Sequence, residues 1–421
     1  MVERTFEALR VRNYRLYFTG QAISLVGTWM QSVALSWLVL ELAHSGTVIG
    51  LVVGAQFTPV LVFGAYGGVL ADRAGKRRLL IATQAALGSL ALVLGLLVVT
   101  GAVRLWMVFA IAVLLGTVQV ADNPTRQTFV VEMVGGERLQ NAVSLNSVLT
   151  NSSRAIGPAV AGVLIATVGV GVCFLLNAAS FVAVILALSL MRVSELRPAP
   201  PVPRDRGQLR AGLRYVRANR GLLVPLAMMA LVGTLAYEFP VVLPLLAHRT
   251  LHGGAGAFGL LTSAMGLGAV AGGLAVAAAG ITGLEPLVLA ALAFGLGISA
   301  AAAMPTIAGE LVALVVVGAA STVFMATGNS TLQLTSEPSF RGRVMALWSV
   351  TFLGSTPIGG PIVGAVSEYA SPRAGLALGA LACLLAAGLG VAALRRTPPG
   401  ERRAPRPVRM DWGAYQQAHG A

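Results

Sequence analysis

Charge is what this chain of 421 residues has least of. Asp, Glu, Lys and Arg make up only 11% of it, against about 25% in water-soluble domains, and that shortage excludes a solvated globular surface. Lysine is almost missing: of the 30 cations, 29 are arginines and the other is Lys76. A nucleotide-hydrolysing pump needs Gly-x-x-x-x-Gly-Lys-[Ser/Thr] to cradle phosphates. Lys76 is followed by Arg77, so no such loop exists. Cysteine is limited to Cys173 and Cys383, both inside apolar runs and without CxxC or His spacing. They read as small core hydrophobes that imply neither a disulfide nor a metal site. No nucleophile–base arrangement points to an enzyme, and nothing calls for a cofactor.

Apolar length is what the chain has in abundance. Hydrophobic residues make up 56%, and mean hydropathy is +0.80. Crossing about 30 Å of hydrocarbon takes roughly 20 apolar residues per helix. The apolar runs divide into spans at 15–40, 47–71, 78–100, 105–127, 139–168, 171–192, 222–247, 255–280, 286–305, 308–334, 343–368 and 373–394. The expected fold class is therefore an all-α membrane protein of twelve transmembrane helices. They form two six-helix bundles, 1–192 and 222–394, joined by a linker over 193–221 and followed by a tail over 395–421. No small-residue cleavage site follows the first span, which reads as a retained anchor.

A net charge of +14 raises nucleic acid as a partner. The cations, however, fill the breaks between spans, as in cytoplasmic loops facing anionic lipid. With the amino terminus inside, the cytoplasmic segments hold 26 of the 30 cations and the outer side holds Arg104, Arg249 and Arg373. The remaining one, Arg154, lies within span 5. This asymmetry predicts both termini in the cytoplasm, with the bilayer as partner and no nucleic acid; a monomer is expected. The linker carries eight arginines over 192–220 and a surface helix is expected over 208–219; the Pro/Arg-rich tail reads as disordered.

An internal repeat is visible. Arg138 and Arg341 are 203 residues apart, as are Gly157-Pro158 and Gly360-Pro361. Two parallel repeats related by an axis along the membrane normal put a substrate site between them near the midplane. Ionisable groups inside spans are functional candidates by default. Arg154 lies near the middle of span 5, on a polar stripe with Ser144, Ser147 and Asn151. It reads either as an anion-binding cavity residue or as a structural pair. In span 4, Gln119, Asp122 and Arg126 share a face, and Asp122 and Arg126 can pair at four-residue spacing. Glu238 sits at the centre of span 7, either as a coupling carboxylate that takes a proton or closes on Arg154, or as a structural acid. Asn329 and Gln333 line one face of span 10. Gln31, Gln56 and Asn177 are amides open to cavity lining or interhelical bonding. Gly157, Pro158 and Gly162 predict a bend in span 5. Glu41, Glu310 and Glu368 fall near outer helix ends and read as interfacial.

The segment Gly68-Val-Leu-Ala-Asp72-Arg73-Ala-Gly75-Lys76-Arg77-Arg78 packs one acid, four cations and two glycines between two apolar runs. It resembles the loop between helices 2 and 3 of the major facilitator superfamily. Residues 8–30 and 122–132 resemble the branch that contains bacterial enterobactin and macrolide exporters. The resemblance implies a proton-driven exporter of a siderophore or amphipathic drug-like molecule in the bacterial inner membrane. It also implies a cytoplasmic gate in which Asp72 engages the start of span 11, where helix N–H donors are free. In that gate Gly68 permits close approach, Gly75 the turn, and Arg73, Lys76 and Arg77 hold the loop at the headgroups. An importer of a small polar solute and a lipid flippase are the alternatives on the same fold.

Overall fold

A computed structural model describes residues 6–73, 75–197, 208–337 and 340–396, with the side chains of 65–74, 208–212 and 353 outside the description. Among the described residues the chain is all helix. Lipid cannot satisfy backbone N–H and C=O groups, so each span must close its hydrogen bonds internally. Among the described residues, eleven helical stretches are long and apolar enough to cross a membrane. The first half contains α1 (Arg12–Ala43), α2 (Gly46–Arg73), α3 (Lys76–Val99), α4 (Leu105–Thr167) and α5 (Val170–Ser189). After α6 (Gln208–Ala218), the second half contains α7 (Arg220–Leu235), α8 (Phe239–Leu245), α9 (Ala255–Ala279), α10 (Leu284–Ala303), α11 (Ile307–Thr335), α12 (Arg341–Leu353), α13 (Thr356–Tyr369) and α14 (Pro372–Arg396). The tail and most of the linker lie outside the described residues.

Three elements depart from the expected spans. Between spans 4 and 5 no loop intervenes: two helices, labelled together α4, meet at a kink at Gly135, whose dihedrals are not helical (φ 71°, ψ 175°). The expected loop over 128–138 is helical because Phe129, Val130, Met133 and Val134 are apolar and pack into a core with Tyr14, Tyr17, Leu80 and Leu188. Span 7 is interrupted between Leu235 and Phe239, and span 11 at Gly354-Ser355. Hydropathy does not register either interruption, because the residues around both stay apolar.

The two halves meet along two seams. In the first, α2 runs against α13 through Gly46, Gly50 and Gly54 facing Gly364, Gly360 and Pro357. A methyl group on Gly50 would stand 2.1 Å from the Gly360 carbonyl oxygen. In the second, α4 runs against α9, and a methyl group on Gly259 would stand 2.6 Å from the Gly162 Cα and from the Pro158 oxygen. Backbones this close maximise dispersion where lipid supplies no hydrophobic drive. Both seams lie towards the 44–47 end of the bundle. Towards the other, basic end, Ser144 and Ser147 on α4 and Gln333 on α11 are exposed.

Candidate functional site

Between the halves is a cavity of about 290 Å³. Its walls come from both repeats: Trp29, Ser32 and Ser36 of α1, Gln56 and Phe57 of α2 and Arg154 of α4 face Tyr237 to Pro240, Phe258 and Thr262 of α9, Phe352 and Thr356. Most of that surface is aromatic or aliphatic, and two charged residues interrupt it. The Arg154 guanidinium carbon stands 5.4 Å from the centroid of the Trp29 ring, in range for a cation–π contact. Its Nε is buried without a hydrogen-bond partner, and among the described residues no carboxylate stands within 4 Å of the guanidinium nitrogens. An intramembrane cation without a counter-ion leaves a site for an anion.

Glu238 owes its position to the broken span. α7 stops at Leu235, α8 starts at Phe239 with Pro240 in its first turn, and Glu238 is the last of the three residues between them. Its carbonyl accepts from the N–H groups of Val241 and Val242. The side chain is only 3% exposed, and Oε1 has no partner. The carboxylate packs over Gly359 and Gly360, where methyl groups would stand 3.0 Å from Oε1 and 3.5 Å from Oε2 respectively. Arg154 and Glu238 thus share a cavity without pairing. The neighbouring Tyr237 hydroxyl donates to the Ser321 carbonyl at 2.7 Å, which fixes its ring against Phe294 and Phe352.

The sequence profile described as transmembrane secretion effector matches residues 3–412. The chain belongs to the major facilitator superfamily. It is similar to the enterobactin exporter EntS of Shigella boydii, 28% identical over 92% of this chain and 94% of that exporter. It is also similar to the staphyloferrin A transporter of Staphylococcus aureus, 26% identical over 61% of this chain and 64% of that transporter. A solved POT family transporter in complex with a thioalcohol-conjugated peptide shares the fold, with a TM-score of 0.76 and 12% identity over 92% of this chain and 97% of that one. This facilitator is a multi-pass membrane transporter and not an enzyme.

The other polar residues singled out in the sequence serve elsewhere in the facilitator. Asp122 is 1% exposed and accepts from Thr83 Oγ1 (2.7 Å), Gln84 Nε2 (2.8 Å) and the Arg126 guanidinium. Arg126 also donates to Gln21 at 2.7 Å. The cluster joins α1, α3 and α4 inside the first half, away from the cavity wall. Asp122→Ala would leave Arg126 without its counter-ion, and breaking such a buried pair costs about 3–5 kcal/mol. The expected result is a thermal midpoint several degrees lower in detergent; an unchanged midpoint would show that the cluster does not hold the half together.

Gln31 accepts from Asn177 at 2.6 Å, tying α1 to α5. Asn151 donates to the Ser147 carbonyl one turn back, and Gln333 bonds Asn329 on the same helix. Gln119 is half-buried on α4, outside the cavity wall. The α4 backbone continues through Gly157-Pro158; Gly157 lies against Trp29 and Gly162 against Gly259. Of the basic loop, the side chains of Gly68, Asp72 and Arg73 lie outside the described residues. Lys76 pairs with Glu132, and Arg77 donates to the carbonyls of Leu188 (2.6 Å) and Ser189 (3.0 Å) at the end of α5. Lys76 thus engages a carboxylate of α4, and Arg77 the carbonyls at the carboxyl end of α5, as cations near such an end do. Gly75 has φ −61°, a conformation any residue adopts, with nothing close to it among the described residues.

Two of the acids near outer helix ends have further surroundings in the fold. Glu310 is 1% exposed, and Glu368 bonds across the halves. Trp29, Tyr237 and Thr356 were not foreseen as cavity residues. An aromatic or hydroxyl residue in an apolar helix carries no signal of the face it presents.

Proposed function

We propose that this facilitator is a secondary active transporter that exports an amphipathic, anion-bearing small molecule of siderophore or drug-like type across the bacterial inner membrane. The observation that carries the reading is the interdomain cavity with an uncompensated Arg154 set against an aromatic wall. Such a wall takes an apolar body, and the arginine takes an acidic group. The similarity to siderophore transporters supports the same class. In this reading α4 crosses twice about Gly135, which makes twelve spans, and the arginine distribution puts both termini in the cytoplasm. The cavity then lies below a closed outer end, as one state of an alternating-access cycle.

Glu238 is the coupling group in this reading, taking a proton when the cavity faces outward. Glu238→Gln is expected to abolish the dependence of export on a pH gradient, with at least a tenfold loss of gradient-driven rate, since each removed proton-binding step decouples the cycle. Transport in proteoliposomes with and without an imposed gradient checks it; retained proton dependence would remove Glu238 from coupling. The substrate class is tested by comparing secreted metabolites and compound susceptibility in deletion and overexpression strains. Accumulation of labelled sugars or amino acids on overexpression would favour an importer instead.

A further inference from the structure

The seam between α2 and α13 has a polar lock at its rim, on the side opposite the basic loop. The Oε2 of Glu368, in the last turn of α13, accepts from Ser45 Oγ at 2.6 Å and from the Thr47 backbone N–H at 2.9 Å. Ser45 Oγ in turn accepts from the Val48 N–H at 3.2 Å. The first turn of α2 is therefore capped jointly by its own serine and by a carboxylate from the other half. This is a favourable place for negative charge, because the free N–H groups and the helix dipole converge there. On the same rim Arg249 donates to the His44 carbonyl at 2.6 Å and to the Glu368 carbonyl at 3.5 Å.

α13 is a short element of 14 residues, cut off from α12 by Gly354-Ser355. Along its length it meets three things in order. Near its start, Gly359 and Gly360 cover the Glu238 carboxylate. Next, Gly360 and Gly364 press on Gly50 and Gly46. At its end, Glu368 caps α2. The second seam has no counterpart to this lock: 203 residues before Glu368, at the repeat-equivalent place in α4, stands Ile165.

We infer that α13 is the gate helix of the closed end and that Glu368 is its latch. Opening that end breaks the Glu368 cap on α2, draws Gly360 and Gly364 off Gly50 and Gly46, and uncovers Glu238 to the outside. The α4–α9 seam, held by apolar backbone contact alone, serves as the pivot. The inference rests on the alternating-access reading above and adds to it which helix moves and which bond holds it.

The test uses Ser36→Cys, a cavity residue on α1, as a reporter in the full-length protein, labelled by a membrane-impermeant maleimide added outside intact cells. Glu368→Ala is expected to raise the labelling rate about tenfold or more, the shift that loss of a charge-assisted hydrogen bond produces in a two-state equilibrium. Thr47→Pro is expected to do the same. It keeps the Glu368 carboxylate and removes the Thr47 N–H donor together with that residue's hydroxyl, and proline is tolerated in a helix's first turn. Glu41→Ala, an acid on the same side whose one partner among the described residues is Trp37, should leave the rate unchanged. If Glu368→Ala fails to insert, Thr47→Pro decides. Parental labelling rates in the inserted variants would overturn the latch. The readout needs no substrate, so a moved labelling rate with unchanged secretion would count against the export reading and leave the gate standing.

Discussion

Arg154→Ala is expected to reduce export at least a hundredfold while leaving the thermal midpoint of the purified protein unchanged or higher. The reason lies in the guanidinium's surroundings. It rests against Trp29 at 5.4 Å, and its Nε is buried with nothing to bond. A cation within a span costs about 2.5–3.5 kcal/mol relative to an apolar residue. Among the described residues its return is one ring contact, of about 0.5–2 kcal/mol. A residue that makes the bundle less stable needs a functional reason. If Arg154 binds the substrate anion, its removal relieves the bundle and destroys the site. Transport in proteoliposomes paired with a thermal melt separates this from a structural role, in which both would fall together. Arg154→Lys should recover part of the rate, since it keeps the charge and loses the planar stack on Trp29.

Gly50→Leu is expected to cost more than tenfold in transport, and to do so by holding the outer end open. A first side-chain carbon at Gly50 would stand 2.1 Å from the Gly360 oxygen and 2.4 Å from its carbonyl carbon. Backbone cannot rotate out of the way as a side chain can, so α2 and α13 must separate. Overpacking a tight contact costs about 1–3 kcal/mol, the size of the gap between alternating conformations. Labelling at Ser36→Cys from outside should therefore rise together with the loss of transport. Gly75→Ala provides the contrast: its φ of −61°, with no described residue close to it, predicts parental behaviour. Parental transport and labelling in Gly50→Leu would mean that the seam is not a moving contact.

Glycines thus differ in meaning in ways that spacing does not reveal. Gly75 drew notice as part of a charged loop motif, and the fold gives it nothing to do that another residue could not. Gly50 stands in a plain apolar run, and the fold sets it against another backbone. The same holds for polar residues. Asp122 and Arg126, four residues apart, could be paired by helical spacing alone, but the Thr83, Gln84 and Gln21 that complete their network come from two other helices. Gln31 and Asn177 were open between two roles until α5 was seen beside α1. Glu238 could be picked out as an acid in an apolar span. The break in that span, which hydropathy could not register, puts it in the cavity wall beside Gly359-Gly360.

By itself the sequence determined the helical membrane class, the internal repeat, the family motif and the short roll of intramembrane charges. Each of these follows from composition and one-dimensional spacing, because a bilayer forces every span to be apolar, helical and about as long as the membrane is thick. Only the tertiary structure decided which polar residues of separate helices face one another: Arg154 with Trp29, the Asp122–Arg126 pair with α1 and α3, and Glu368 with the start of α2. Those pairings depend on which faces of separate helices are turned together. In a membrane that is set by close backbone packing at glycines and by interhelical hydrogen bonds, neither of which leaves a period in the chain.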